Sequence, residues 1–318
     1  MANVDLSVII PSKNNKNKII ELIRNISAEL KDKEVEFIII DMNSSDNTVI
    51  SALEEIKKLN LRGCVIQSGG GNMSSALNTG IYKSEGEYIT FVFPGRLYKS
   101  YIPDYIKAAE KKRSDFVFAV PSTDNEMNKQ TIERLKNTES GYISGRELLC
   151  ELIKSRLYFE FTAILLRREF LFDNHIKFYE DCNYGYIEAF IYNVLLGDPM
   201  TSCPDTILER DISVQNSDTV PNSGCYGRIE AMLKVYENCI LTHNSDKELN
   251  DLFEYRKLPS VVMSVVDILK KENFSYSAIK KSLKQKGYDK LLKVSVRTPK
   301  TLRKKIFVWK TVPWMYNP

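Results

Sequence analysis

The sequence predicts an α/β fold: a mostly parallel sheet with flanking helices, followed by a helical C-terminal extension. Three observations lead there. Short apolar runs rich in β-branched residues stop at polar clusters, amphipathic stretches of helical period lie between them, and after about Pro221 the pattern becomes helical throughout.

Leu6-Ser7-Val8-Ile9-Ile10 reads as a buried strand that ends at Pro11-Ser12-Lys13-Asn14-Asn15. Ile19, Ile20, Leu22, Ile23, Ile26 and Leu30 then share one face of a helix predicted over Lys18–Leu30. Val35–Ile40 is a second buried strand, ending in Asp41-Met42-Asn43-Ser44-Ser45-Asp46-Asn47, and Thr48–Leu59 returns as a helix. Strand, helix and strand with short connections form a parallel unit, which places Pro11–Asn15 beside Asp41–Asn47 on the carboxyl rim where such sheets bind ligands. A carboxylate there, Asp41, can accept hydrogen bonds from a nucleobase or ribose; Ser44, Ser45 and Asp46 either join it or cap the next helix. Tyr88–Val92 reads as a further strand and runs into the turn Phe93-Pro94-Gly95-Arg96, where proline fixes one dihedral and glycine frees the next.

The blocks Ser7-Val8-Ile9-Ile10-Pro11-Ser12, Ile38–Thr48, Asn72–Ile81 and Gly86–Phe91, in that order, resemble the family-2 glycosyltransferases of GT-A fold. The resemblance is close over about residues 5–100 and looser to about residue 220. It implies a nucleotide-diphosphate-sugar site, most simply for a UDP-sugar, in which Pro11, Ser12 and Asn14 belong to the first loop and Asp41 holds the base. Met42 stands where the family usually has a second acidic residue, Asn43 where it has glycine, and Leu77 where it often has a basic residue. Methionine accepts no strong hydrogen bond, while asparagine tolerates the left-handed backbone that glycine allows.

The largest departure follows the Tyr88–Val92 strand. The family carries aspartates there to grip a divalent cation, and here Phe93 and Gly95 take the two main acidic positions. Magnesium and manganese need oxygen ligands, so no metal is expected in the usual site and no other cofactor is called for. Arg96 either offsets the charge of a departing diphosphate through a two-pronged guanidinium pair or is an ordinary solvated arginine. The family's acceptor-activating carboxylate matches two places imperfectly: Glu188 at the start of a helix predicted over Ile187–Leu196, or Asp181 within Glu180-Asp181. Each also has a bland reading, a helix N-terminal charge for Glu188 and a solvated loop for Asp181. Arg210, in a segment resembling a family diphosphate-contact region, either touches the donor or pairs with Glu209 or Asp211.

The chain has 318 residues, 43% of them hydrophobic. That is enough for a GT-A domain over 1–220 and a helical region over 221–289, with candidate helices at Arg228–Leu241, Lys247–Lys271 (interrupted by Pro259) and Ser275–Gln285. No apolar run reaches a membrane-spanning length and no signal peptide precedes Leu6, so a cytoplasmic protein is expected. Six cysteines without metal-site spacing read as reduced thiols, and two histidines leave little for a histidine-based metal site or catalytic triad.

The tail over 290–318 holds eight basic residues and no acidic ones; since the whole chain is +4, residues 1–289 carry −4. Interleaved with Ile306, Phe307, Trp309, Trp314, Met315 and Tyr316, these cations suit the inner face of a membrane, or else the aromatics dock on the core and the lysines are solvated. No nucleic-acid recognition motif accompanies the charge. The expected function is sugar transfer from a nucleotide diphosphate to a cell-envelope glycan or lipid-linked acceptor. The FPGRL replacement and basic tail also resemble a divergent glycosyltransferase-like protein encoded among wall teichoic acid genes. The rival reading is a catalytically inactive scaffold for a partner glycosyltransferase; a nucleotidyltransferase is disfavoured because the chain lacks a glycine-rich basic first loop.

Overall fold

The structure is a computed structural model that describes residues 4–94, 100–121, 126–136, 143–206, 208 and 224–318. In chain order its elements are β1 (Leu6–Ser12), α1 (Lys16–Glu29), β2 (Val35–Asp41), α2 (Thr48–Lys58), β3 (Arg62–Gln67), α3 (Met73–Lys83), β4 (Tyr88–Phe91), α4 (Ile102–Lys112), β5 (Phe116–Phe118), α5 (Glu126–Lys136), β6 (Ile143–Ser144), α6 (Gly145–Ile153), β7 (Ile164–Arg167), α7 (Arg168–Asp173), α8 (Tyr186–Leu196), β8 (Met200–Ser202), α9 (Gly227–Thr242), α10 (Lys247–Leu252), α11 (Leu258–Lys271), α12 (Tyr276–Gln285) and α13 (Lys300–Thr311).

Among the described residues the strands make one eight-stranded sheet, ordered β3-β2-β1-β4-β7-β5-β8-β6. The first four are mutually parallel, β7 runs antiparallel between β4 and β5, and β6 runs antiparallel to β8. Register brings the last residues of β1 and β2 level, Ser12 opposite Asp41. The alternation of β side chains sorts them between two cores. Leu6, Val8, Ile10, Phe37 and Ile39 face α1, α2 and α4, whereas Ile9, Ile38 and Ile40 face α3 and α8. Both faces being covered explains why the strands read as continuous apolar runs rather than an alternating pattern.

The C-terminal helices extend the second of these cores. Val235, Phe253, Val262, Leu283, Ile306 and Trp309 belong to the same buried cluster as Phe91 and Phe190. Pro259 does not break the predicted Lys247–Lys271 helix. A π-helical turn at Phe253–Lys257 joins α10 to α11 and leaves Pro259 in the first turn of α11, where a missing N–H is tolerated. The carbonyl a helical Pro259 would have left empty, that of Tyr255, accepts the Thr298 hydroxyl at 2.7 Å, tying the tail to this turn. The tail itself forms α13, which its composition had not marked as helical. Ile306, Trp309 and Tyr316 are buried, while Phe307, Trp314 and Met315 stay in solvent. No helix among the described residues is long and apolar enough to cross a membrane.

Candidate active site

The carboxyl ends of β1 and β2 lead into loops that hold each other. The Asn14 amide N–H donates to Ser44 Oγ at 2.9 Å, the Ser45 amide donates to Asn14 Oδ1 at 2.8 Å, and the Asn15 amide donates to Thr48 Oγ1 at 2.9 Å. Asp46 receives Thr48 and the Lys16 amide, and the Thr48 hydroxyl is the main reason its carboxyl is held below the usual range. Asp46 therefore works locally, at the starts of α1 and α2. Asn14 and Asn43 both adopt left-handed backbone, φ 53° and 60°, the conformation an asparagine reaches at least cost after glycine. With Asn43 turned this way, the Ser44 amide donates to Asp41 Oδ2 at 3.1 Å.

What remains unpaired is informative. Asp41 is 1% exposed, yet its Oδ1 has no partner among the described residues; Ser12, level with it on β1, is equally buried and its hydroxyl has none among them either. A buried polar group left so costs about 1–3 kcal/mol, and here two of them lie level at adjacent strand ends. The third such atom, Glu151 Oε2, lies 2.8 Å from the Arg134 guanidinium and is not comparable. Pro11, which precedes Ser12, is buried within β1 and opposes Ile40.

Beside these strands lie the described residues that depart from the family pattern. Phe93 lies half-buried against the core cluster, as does Met42, and Leu77 is wholly buried in it. The side chains of Phe93, Met42 and Leu77 carry no oxygen with which to ligate a divalent cation and no strong hydrogen-bonding group for a nucleotide. Gly95, Arg96 and Arg210 lie outside the described residues.

The segment from Phe178 to Tyr186 crosses the same rim. Phe178 stacks on Phe190 at 3.9 Å, and both meet Phe91 of β4 edge-on. Asn72, the N-cap of α3, donates to the Glu180 carbonyl at 2.5 Å and to Asn183 Oδ1 at 2.9 Å; Asn78 exchanges two bonds with the Phe178 backbone and donates a third to Glu180 Oε1 at 2.9 Å. Both acid candidates are already paired. Asp181 accepts Lys234, whose ammonium holds that carboxyl below its ordinary range and also lies 5.4 Å above the Tyr179 ring. Glu188, in the first turn of α8, accepts Lys257 of the π turn at 2.5 Å. Burial would lower the Lys257 pKa, but Glu188 and Tyr192 outweigh it and hold the ammonium above the ordinary lysine range. Burial also pushes Tyr192 up to about 12. Neither lysine had a sequence signal, because each lies more than fifty residues from its acid. Asn72 did: an asparagine directly before a helical stretch is a favoured N-cap residue.

The sequence profile of glycosyl transferase family 2 matches residues 7–172, just over half of the chain. The poly(ribitol-phosphate) β-N-acetylglucosaminyltransferase TarP of Staphylococcus aureus is 24% identical over 180 residues, covering 54% of this chain and 52% of TarP. An uncharacterised glycosyltransferase of Rickettsia felis is 30% identical over 182 residues, 56% of this chain but only 29% of that protein. Among solved structures, S. aureus TarS 1–349 in complex with UDP-GlcNAc superimposes with a TM-score of 0.63 at 18% identity, covering 96% of this chain and 87% of that one. The mannosyltransferase PcManGT of Pyrobaculum calidifontis, in complex with GDP-Man and Mn2+, gives 0.56 at 15% identity over 98% and 85%. These likenesses carry the fold, which is of GT-A type.

Proposed function

The chain belongs to glycosyl transferase family 2, and from that membership and the β1/β2 rim we propose that it moves a sugar from a UDP donor to a cell-envelope glycan or lipid-linked acceptor of the teichoic acid kind. The single observation that carries the donor site is the pair of buried, unpartnered atoms Ser12 Oγ and Asp41 Oδ1. A pyrimidine imide N–H or a ribose hydroxyl satisfies Asp41, and a base carbonyl accepts from Ser12. Asn14 and Asn43 shape the two loops that flank this pair. In the inverting displacement usual for the family, the acceptor oxygen bonds to the anomeric carbon as the bond to diphosphate breaks, and a carboxylate takes the hydroxyl proton. Glu188 or Asp181 is the proposed base.

Metal-independent transfer is part of the proposal. Phe93 offers no oxygen ligand, and Arg96, with Arg210, would compensate the leaving diphosphate by charge-assisted hydrogen bonds. The basic tail would carry the protein to the inner membrane face, with Phe307 and Trp314 at headgroup depth. The domain division at 220 and 289 belongs to the same reading. One observation favours the second reading, an inactive scaffold for a partner glycosyltransferase: both candidate bases are engaged by lysines.

The test is calorimetric titration of UDP in EDTA and again in manganese, for the wild type and Arg96→Ala. Metal-independent micromolar binding, weakened at least tenfold by the substitution, is expected. Absence of binding in both conditions would sink the donor site and leave the scaffold.

A further inference from the structure

We propose that the open cleft between α3 and the segment running from α7 to Glu180 seats the acceptor chain, and that this acceptor is an extended polyhydroxylated polymer. The inference rests on the sugar-transfer reading and names a subsite for it. The cleft has a volume of about 350 Å³, and Tyr82, Phe172, Asn78, His175, Lys177 and Glu180 line it. Two large rings face water there: Tyr82 is 74% exposed and Phe172 38%. Exposed aromatic rings gathered at a concave surface mark a place for something else to cover.

A cation lies near each ring. The Arg168 guanidinium sits 4.5 Å above the Phe172 ring while its Nε donates to the Ser84 carbonyl at 2.7 Å, and the Lys83 ammonium lies 5.6 Å from the Tyr82 centroid. The rim end of the cleft is polar. Glu180 receives Asn78 on one carboxylate oxygen, and the other has no protein donor among the described residues. Through its carbonyl, Glu180 is fixed to Asn72 at the start of α3, next to Asp181. A path along the cleft therefore ends at the rim that carries a candidate base.

The ligand chemistry follows from this order of groups. Sugar and polyol chains present C–H faces that lie on aromatic rings, and hydroxyls that donate to a carboxylate or accept from an ammonium or imidazole. Lys177 and His175 also suit a phosphodiester link between units. Neutral glycan and polyol phosphate share the first chemistry and differ in the second.

The experiment uses the full chain and two probes, a ribitol-phosphate oligomer and an N-acetylglucosamine tetrasaccharide, titrated by calorimetry, with UDP titrated in parallel. The variants are Tyr82→Ala/Phe172→Ala, Lys177→Ala and, as a control outside the cleft, Leu241→Ala, which is 82% exposed. Loss of both rings is expected to weaken at least one probe about tenfold, with UDP affinity and the control unchanged. Lys177→Ala then weakens the ribitol-phosphate oligomer severalfold and spares the tetrasaccharide if the acceptor is a polyol phosphate. The cleft assignment is overturned if neither probe binds a wild type that binds UDP, if the ring variant binds both probes like wild type, or if UDP affinity falls in step with probe affinity. Ring-dependent probe binding without UDP binding keeps the cleft and removes the donor site.

Discussion

Carboxylates sit at two places on the rim, and they are treated in opposite ways. At the β2 end, Asp41 is buried, anchored through one oxygen by the Ser44 amide and without a partner among the described residues at the other. Across the rim, Asp181 and Glu188 are 66% and 30% exposed at the side chain, and each already faces a lysine. The first arrangement leaves a buried polar atom unsatisfied; in the second each carboxylate already has a cationic partner. An unused lone pair on a rigid strand end is thus the stronger sign of binding. A paired carboxylate must be released or shared before it can take a proton.

Asp41→Asn tests the first half of that contrast and carries the largest expected effect. Asparagine keeps an oxygen for the Ser44 amide and removes the unpaired charge, so UDP affinity should fall about 10- to 100-fold while the ligand-free melting temperature holds or rises. A fall in melting temperature without loss of UDP affinity would make Asp41 structural.

Lys257→Met tests the second half. It strands Glu188 and removes an ammonium 4.7 Å above the Tyr192 ring, at an expected cost of about 2 kcal/mol in urea unfolding, less than for a fully buried pair because Glu188 is partly exposed. The folded Lys257 pKa is raised, so this contribution is complete below the ordinary lysine value of about 10.4 and fades only as pH climbs above it. Wild-type and variant stability should therefore differ by a constant amount from pH 7 to 9.

A smaller effect separates the two acids. The Asp181 carboxyl is depressed by Lys234, so any stability it lends is present above about pH 4 and lost as pH falls through the folded value. Lys234→Ala should raise the acid limb of the kcat/KM profile if Asp181 is the base; an unmoved limb assigns the role elsewhere. Its cost in stability should stay within about 1 kcal/mol, as for exposed pairs. Asn43→Ala is expected to cost about 1 kcal/mol through its left-handed backbone, with Asn43→Gly near neutral, read from thermal unfolding.

Much of this was legible in the chain. Apolar runs located β1 and β2, and periodicity located α1, α2 and α9 to within about two residues of their ends. Asp41 was legible as a candidate because its residue type and its place at the end of an apolar run put a carboxylate on the carboxyl rim of a parallel unit. The state of Glu188 and Asp181 was not, since an ion pair formed across 69 or 53 residues leaves no local pattern. Nor was α13: its lysines and aromatics fit a surface or a core equally, and only contact with α11 and the sheet-side cluster sorted Trp309 inward and Trp314 outward.

By itself, then, the sequence determined the mostly parallel α/β order, the family, and which polar residues close β1 and β2. Those are consequences of local period and of residue type, which neighbours along the chain decide. The tertiary structure alone decided which polar atoms stay unsatisfied, which acids are already paired, and that Tyr82 and Phe172, ninety residues apart, border one cleft. Satisfaction and exposure are properties of three-dimensional surroundings, and they arise only when distant segments close over one another.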